Sequence, residues 1–136
     1  MIRLLILDDH PIVSSGLAAR YETMPGFSVI GTAATVSHAL RLAASHAVDV
    51  AVVDIQLDAT LTPRQVGVLV ERCKVVLFSA RSTESHVRTL LDAGASAALD
   101  KSASLDALDE ALRRVHAGQR IESTCDATTN ARADAR

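Results

Sequence analysis

Five short apolar runs alternate with five helical patterns along this chain, and that alternation constrains the fold more than any other feature. Runs that are apolar throughout suit strands buried on both faces, as in a parallel sheet. They cover Arg3–Leu7, Phe27–Ala33, Val48–Val53, Val75–Phe78 and Ala95–Leu99. The first helical pattern starts with Pro11 at a first helical position and continues through Val13, Leu17 and Tyr21. Pro25-Gly26 ends it. Val36–His46 is the second, and Thr62-Pro63 opens a third that runs to Cys73, weakened by Gly67. Ser82 is expected to cap a fourth that stops at Gly94. Ser104 caps the last, which sets Leu105, Leu108, Leu112 and Val115 on one face and ends at Gly118. Strict βα alternation predicts an α/β domain with a parallel sheet, right-handed crossovers and helices on both faces: a doubly wound (βα)5 fold.

Length and composition agree with one such domain. The chain has 136 residues, 49% of them apolar, enough for a single core. Tyr21, Phe27 and Phe78 are the only aromatics, so Leu, Val, Ile and Ala must fill that core. Residues 122–136 carry no apolar period. The domain is therefore expected over 1–120, with 121–136 a polar, disordered tail. A formal charge of −2 gives no basic field to attract nucleic acid. Cys73 and Cys125 form no C-x-x-C pair, which suggests reduced thiols. The run Leu4–Leu7 is too short for a signal sequence, and no stretch reaches membrane-spanning length. The expectation is a soluble, cytoplasmic protein without membrane contact.

In doubly wound sheets, function gathers at the carboxyl ends of the strands. Strand one ends in Asp8-Asp9, strand three in Asp54 and strand four in Ser79, and Lys101 follows strand five. Like charges about 4 Å apart repel by roughly 4 kcal/mol at an effective dielectric near 20. Clustered carboxylates therefore need a counter-ion. A hard divalent ion with oxygen ligands, such as Mg²⁺, meets that need and can also hold a phosphate. No cysteine joins the cluster and only His10 lies near it, which disfavours zinc. Lys101 offers a mobile positive charge and Ser79 a hydrogen bond to phosphoryl oxygens. A carboxylate such as Asp54 can act as a nucleophile and form an acyl phosphate.

Each residue alone has an ordinary reading. Asp8-Asp9 could favour a helix dipole, Asp54 could end a strand, and Ser79 and Lys101 could be a satisfied hydroxyl and a surface lysine. Their joint placement argues for function. His10 is expected to be a plain loop histidine. His38, His46, His86 and His116 read as surface residues, and Arg113-Arg114 as a solvated helix face.

The segments L-I-L-D-D-H-P (5–11), V-V-D-I (52–55), V-L-F-S-A (76–80) and L-D-K-S (99–102) resemble the CheY-like receiver family of two-component response regulators. The likeness covers residues 2 to about 119. The D-D-H-P opening and the A-S-L-D-A-L start of the last helix are similar to its NarL/FixJ-type branch. The resemblance implies a flavodoxin-like sheet in strand order 2-1-3-4-5. It implies that Asp54 accepts a phosphoryl group from a sensor histidine kinase or phosphotransfer protein. It implies Mg²⁺ ligated by Asp9, Asp54 and the Gln56 carbonyl, with Asp8 acting through water, and Ser79 and Lys101 contacting the phosphoryl group. Members of that branch usually carry a helix-turn-helix DNA-binding domain after the receiver, and a homodimer is open to them. Nothing in 122–136 could form such a domain, so this chain by itself is not expected to bind nucleic acid.

Three departures from the family pattern stand out. Leu57-Asp58 replaces the usual turn after the phosphoacceptor. The segment from Asp54 to Ser79 is short, which predicts a clipped third helix. Ala98 stands where an aromatic switch residue is usual, which predicts an altered readout. A metabolic enzyme is disfavoured: strand one lacks G-x-G-x-x-G, no P-loop is present, and the D-x-D of aspartyl phosphatases is missing. A signalling switch, not an enzyme, is the expected class, with the receiver part of a DNA-binding transcriptional regulator as the alternative.

Overall fold

The computed structural model describes residues 1–57, 60–80 and 83–121. Five strands and five helices alternate: β1 Ile2–Leu7, α1 Pro11–Thr23, β2 Phe27–Ala33, α2 Val36–Ser45, β3 Val50–Val53, α3 Pro63–Val70, β4 Lys74–Ser79, α4 Glu84–Asp92, β5 Ala97–Asp100 and α5 Leu105–His116. The strands form one parallel sheet in the order β2-β1-β3-β4-β5. This is the doubly wound architecture that the alternation predicts, with the flavodoxin-like strand order that the family resemblance implies.

Alternate strand residues face opposite layers, which is why the runs are apolar throughout. Leu5, Leu7, Ala51, Val53, Val75, Leu77 and Ala98 face α2, α3 and α4. Leu4, Ile6, Val50, Val52, Val76, Phe78 and Leu99 face α1 and α5. Both layers are nearly dry, and Leu4–Leu7 are each 0% exposed. Fully burying such a side chain contributes about 1.5–3 kcal/mol.

Local chemistry sets the element boundaries. β3 starts at Val50 and not at Val48, because the Asp49 carboxylate takes the Arg3 backbone N–H at 2.8 Å in place of a ladder bond. α3 ends at Val70, short of Cys73. The N–H groups of Arg72 and Cys73 both turn back to the Leu69 carbonyl, and β4 begins at Lys74. At eight residues α3 is the shortest of the described helices, as the clipped segment predicts. A reciprocal capping box between Thr62 and Gln65 holds it. Thr83 caps α4 by accepting from the His86 N–H; Ser82, the expected cap, lies outside the described residues. Gly94 stops α4 with φ of 123°, and Ala95 donates to the Leu90 carbonyl. That bond closes the helix end and delays β5 to Ala97, two residues past its expected start. Cys73 is buried in the turn after α3, and burial pushes its thiol up to about 11. No described helix is long and apolar enough to cross a membrane.

Candidate functional site

Sheet register creates the site. Leu7 pairs with Val53, and Val53 with Leu77, so β1 and β3 finish side by side and β4 runs on beside them for two more residues, to Ser79. The ladder continues one step beyond the strands. Asp8 N–H donates to the Ala33 carbonyl at 3.0 Å, Asp54 N–H to Leu7 at 2.9 Å and Lys101 N–H to Ser79 at 2.7 Å. Main-chain bonds thus fix three site residues before any side chain interacts.

Asp54 is 1% exposed and Asp8 5%, while the Asp9 side chain is more open, at 37%. Oxygens of these three carboxylates and His10 Nδ1 lie within 4.8 Å of one another. Lys101 Nζ donates to Asp8 Oδ2 at 2.9 Å and stands 3.6 Å from Asp54 Oδ2. Its side chain, 17% exposed, passes over the Phe78 ring. Asp54 Oδ1 accepts the Gln56 N–H at 3.1 Å. Asp54 Oδ2 is buried and accepts no hydrogen bond among the described residues. A buried carboxylate oxygen in that condition is costly to keep. Of the two Asp54 oxygens it is the one that faces Lys101, at 3.6 Å, and His10, at 3.5 Å.

His10 is no plain loop histidine. It is the N-cap residue of α1, yet its side chain does not cap the helix. Its Nδ1 approaches Asp8 Oδ1 at 3.0 Å, Asp9 Oδ1 at 3.2 Å and Asp54 Oδ2 at 3.5 Å. The Asp8 hydrogen bond, helped by the neighbouring carboxylate charges, raises its pKa above the ordinary histidine value. Adjacency to Asp9 was the signal available in sequence; the ring direction was not. Ser79, 4% exposed, donates to Gln56 Oε1 at 3.2 Å. Gln56 therefore reaches the site through its N–H and its side chain, a role that spacing alone does not reveal. His86 departs from its surface reading, since its Nε2 is buried. Arg113 lies over the Phe27 ring at 5.4 Å, so that face is not purely solvated. Asp58, Ala59, Arg81 and Cys125 lie outside the described residues.

Three oxygen-donor residues and a buried, unbonded carboxylate oxygen fit a hard divalent cation. A cleft of about 290 Å³ opens beside Asp8 and Asp9, lined also by Ser14, Thr32 and His38.

Comparison with known proteins places this geometry. Residues 4–113 match the response regulator receiver domain family. The chain is 31% identical over 127 residues to the transcriptional regulatory protein LiaR of Bacillus subtilis, covering 90% of this chain and 60% of that protein. It is 31% identical to the response regulator GacA of Pseudomonas aeruginosa, covering 90% and 59%. The chain thus spans less than two thirds of the length of these relatives. A two-component response regulator of the LuxR family from Aurantimonas superposes with a TM-score of 0.82 at 26% identity, covering 98% of both chains. The receiver domain of the response regulator NarL from Mycobacterium tuberculosis, at 24% identity and TM-score 0.79, covers 87% of this chain and 98% of its own, and shares the fold. With the strand order, the acidic edge and the family match in agreement, the chain belongs to the response regulator receiver family.

Proposed function

We propose that Asp54 is the phosphoacceptor of this receiver and that its Oδ2 is the attacking atom. The observation that carries this reading is the burial of Oδ2 without a hydrogen bond, 3.6 Å from the Lys101 ammonium. A nucleophile must keep a lone pair available, and this oxygen does. The donor is a phosphohistidine on a sensor kinase or phosphotransfer protein. The Asp54 O–P bond forms as the P–N bond to the donor imidazole breaks, and the departing imidazole takes up a proton. Lys101, held by Asp8, stands ready to neutralise charge on the phosphoryl oxygens. Ser79 donates its hydroxyl to a second oxygen of that group. Asp9, Asp54 and the Gln56 carbonyl would hold Mg²⁺, with Asp8 assisting through water. The ion would supply charge neutralisation at the transferring group. The domain is a signalling module located in the cytoplasm, spanning 1–120, with 121–136 as a following polar segment.

The test is incubation with a small phosphodonor and Mg²⁺, read by intact mass. Wild type gains one phosphoryl group and Asp54→Asn gains none. An unmodified wild type, under conditions that label another receiver, contradicts the reading.

A second reading is favoured by the length of the relatives. The chain is the receiver portion of a DNA-binding transcriptional regulator, and it dimerises to present output domains. This receiver portion makes no direct contact with nucleic acid. Reading the gene beyond codon 136 tests this. A frame that continues into a helix-turn-helix supports it, and a stop codon there favours a stand-alone receiver.

A further inference from the structure

Gln56 ties two parts of the site together. Its N–H donates to Asp54 Oδ1 at 3.1 Å, and its Oε1 accepts the Ser79 hydroxyl at 3.2 Å. A serine hydroxyl has a single proton to donate. It can serve Gln56 Oε1 or a phosphoryl oxygen on Asp54, but not both. Ala98, 4% exposed, offers only a methyl in β5 and packs into the core layer beneath α2, α3 and α4. No aromatic ring at that position can follow the movement of the hydroxyl. The group the hydroxyl must leave is an amide.

We infer that Gln56 is a positioning residue whose side-chain amide holds the Ser79 hydroxyl while Asp54 is unmodified. It surrenders that hydroxyl when a phosphoryl group arrives. The inference rests on the reading of Asp54 as phosphoacceptor. Its consequence is a resistance to phosphorylation set by residue 56: the Ser79–Gln56 bond must break before Ser79 can engage the new group. The amide released from Ser79 is then the group that changes partner at the sheet edge, in place of an aromatic side chain. Substituting the side chain leaves the backbone N–H and carbonyl of residue 56 where they are, so the two roles separate.

Beryllofluoride with Mg²⁺ is the probe, because it mimics a phosphoryl group on a carboxylate without a chemical step. Affinity is read from backbone amide shifts on titration of the full chain. Gln56→Met keeps similar bulk and removes the acceptor. It should tighten beryllofluoride binding about fivefold, the worth of one ordinary net hydrogen bond. Gln56→Ala should do the same. In a Ser79→Ala background, where no hydroxyl remains to be held, Gln56→Met should leave affinity unchanged. Equal effects in the two backgrounds, or no tightening in the single variants, overturn the inference. Failure of the wild type itself to bind the probe has a different meaning: it removes the Asp54 reading and the inference with it.

Discussion

At the scale of single residues, the proposed site should trade stability for chemistry. Asp54 Oδ2 is buried beside two further carboxylates and accepts no hydrogen bond among the described residues. Replacing it by a neutral group should relieve repulsion while the Gln56 N–H keeps its acceptor. Asp54→Asn is therefore expected to be more stable than wild type by about 1 kcal/mol in divalent-free buffer, as measured by urea unfolding. A less stable variant would mean that Lys101 and His10 already compensate the charge in full. Lys101 has the opposite balance, because it compensates Asp8 and faces Asp54. Lys101→Ala should keep its far-ultraviolet dichroism and lose about 100-fold in the rate of labelling by a small phosphodonor. An unchanged labelling rate would remove Lys101 from the chemistry. Asp8, Asp9, Asp54, Ser79 and Lys101 could be named as candidates from sequence because each stands at or just beyond the end of a strand. The His10 ring and the Gln56 amide could not, because side-chain direction is decided by neighbours that meet only in the folded chain.

At the scale of elements, two devices outside the site hold the helices in place. α1 and α5 are joined through Asp109, which is 5% exposed and lies 88 residues from Tyr21. The Tyr21 hydroxyl donates to Asp109 Oδ1 at 2.6 Å, and the Arg20 guanidinium donates to both oxygens. Burial pushes the Asp109 carboxyl up, but the bonds from Arg20 and Tyr21 outweigh it and hold the group below the usual carboxylate range. Burial, with the Asp109 bond, pushes the Tyr21 phenol well above its usual value. The signs follow from linkage. The contribution of Asp109 is complete above about pH 3.9 and is lost as pH falls through its folded value. That of Tyr21 is complete below about pH 10 and is lost as pH rises further. Tyr21→Phe should cost about 1–3 kcal/mol at neutral pH and flatten the alkaline limb of stability against pH. An unflattened limb would show that Tyr21 does not set it.

The second device lies at the end of α4. Gly94 has φ of 123°, and a Cβ there would meet Val70 Cγ2 at 3.1 Å. Gly94→Ala should cost about 1–2 kcal/mol in thermal unfolding; a neutral result would contradict the packing of α3 against this turn. The Arg120 guanidinium also donates to the Leu91 carbonyl, and Ile121 N–H donates to Ser96 at 2.7 Å. The chain beyond α5 therefore returns to α4 and the start of β5. Helix stops at glycine were legible locally, whereas these long-range bonds had no local pattern to announce them.

At the scale of the whole molecule, the order of strands and helices was legible because two-sided burial writes itself as uninterrupted apolar runs, as in Leu4–Leu7 and Val50–Val53. The site was legible because a parallel sheet brings the ends of β1, β3 and β4 to one edge, whatever the loops do. Boundaries were less so: Asp49 displaces a ladder bond at β3, and the Gly94 turn consumes Ala95 before β5. Binding of a cation at the acidic edge should stabilise the entire fold, since the unfolded chain has no such cluster. Saturating Mg²⁺, at about 100 times its Kd, should add about 2.7 kcal/mol, and Asp9→Asn should lose most of that gain. A melting temperature indifferent to Mg²⁺ would contradict the cation assignment. We propose that this fold presents Asp54 for phosphorylation. Reduction of the phosphodonor-treated protein with borohydride converts an aspartyl phosphate to homoserine, which peptide mass mapping then locates. Homoserine is expected at position 54 and at no other aspartate; conversion at Asp8 or Asp9, or at none, would contradict Asp54 as the phosphoacceptor.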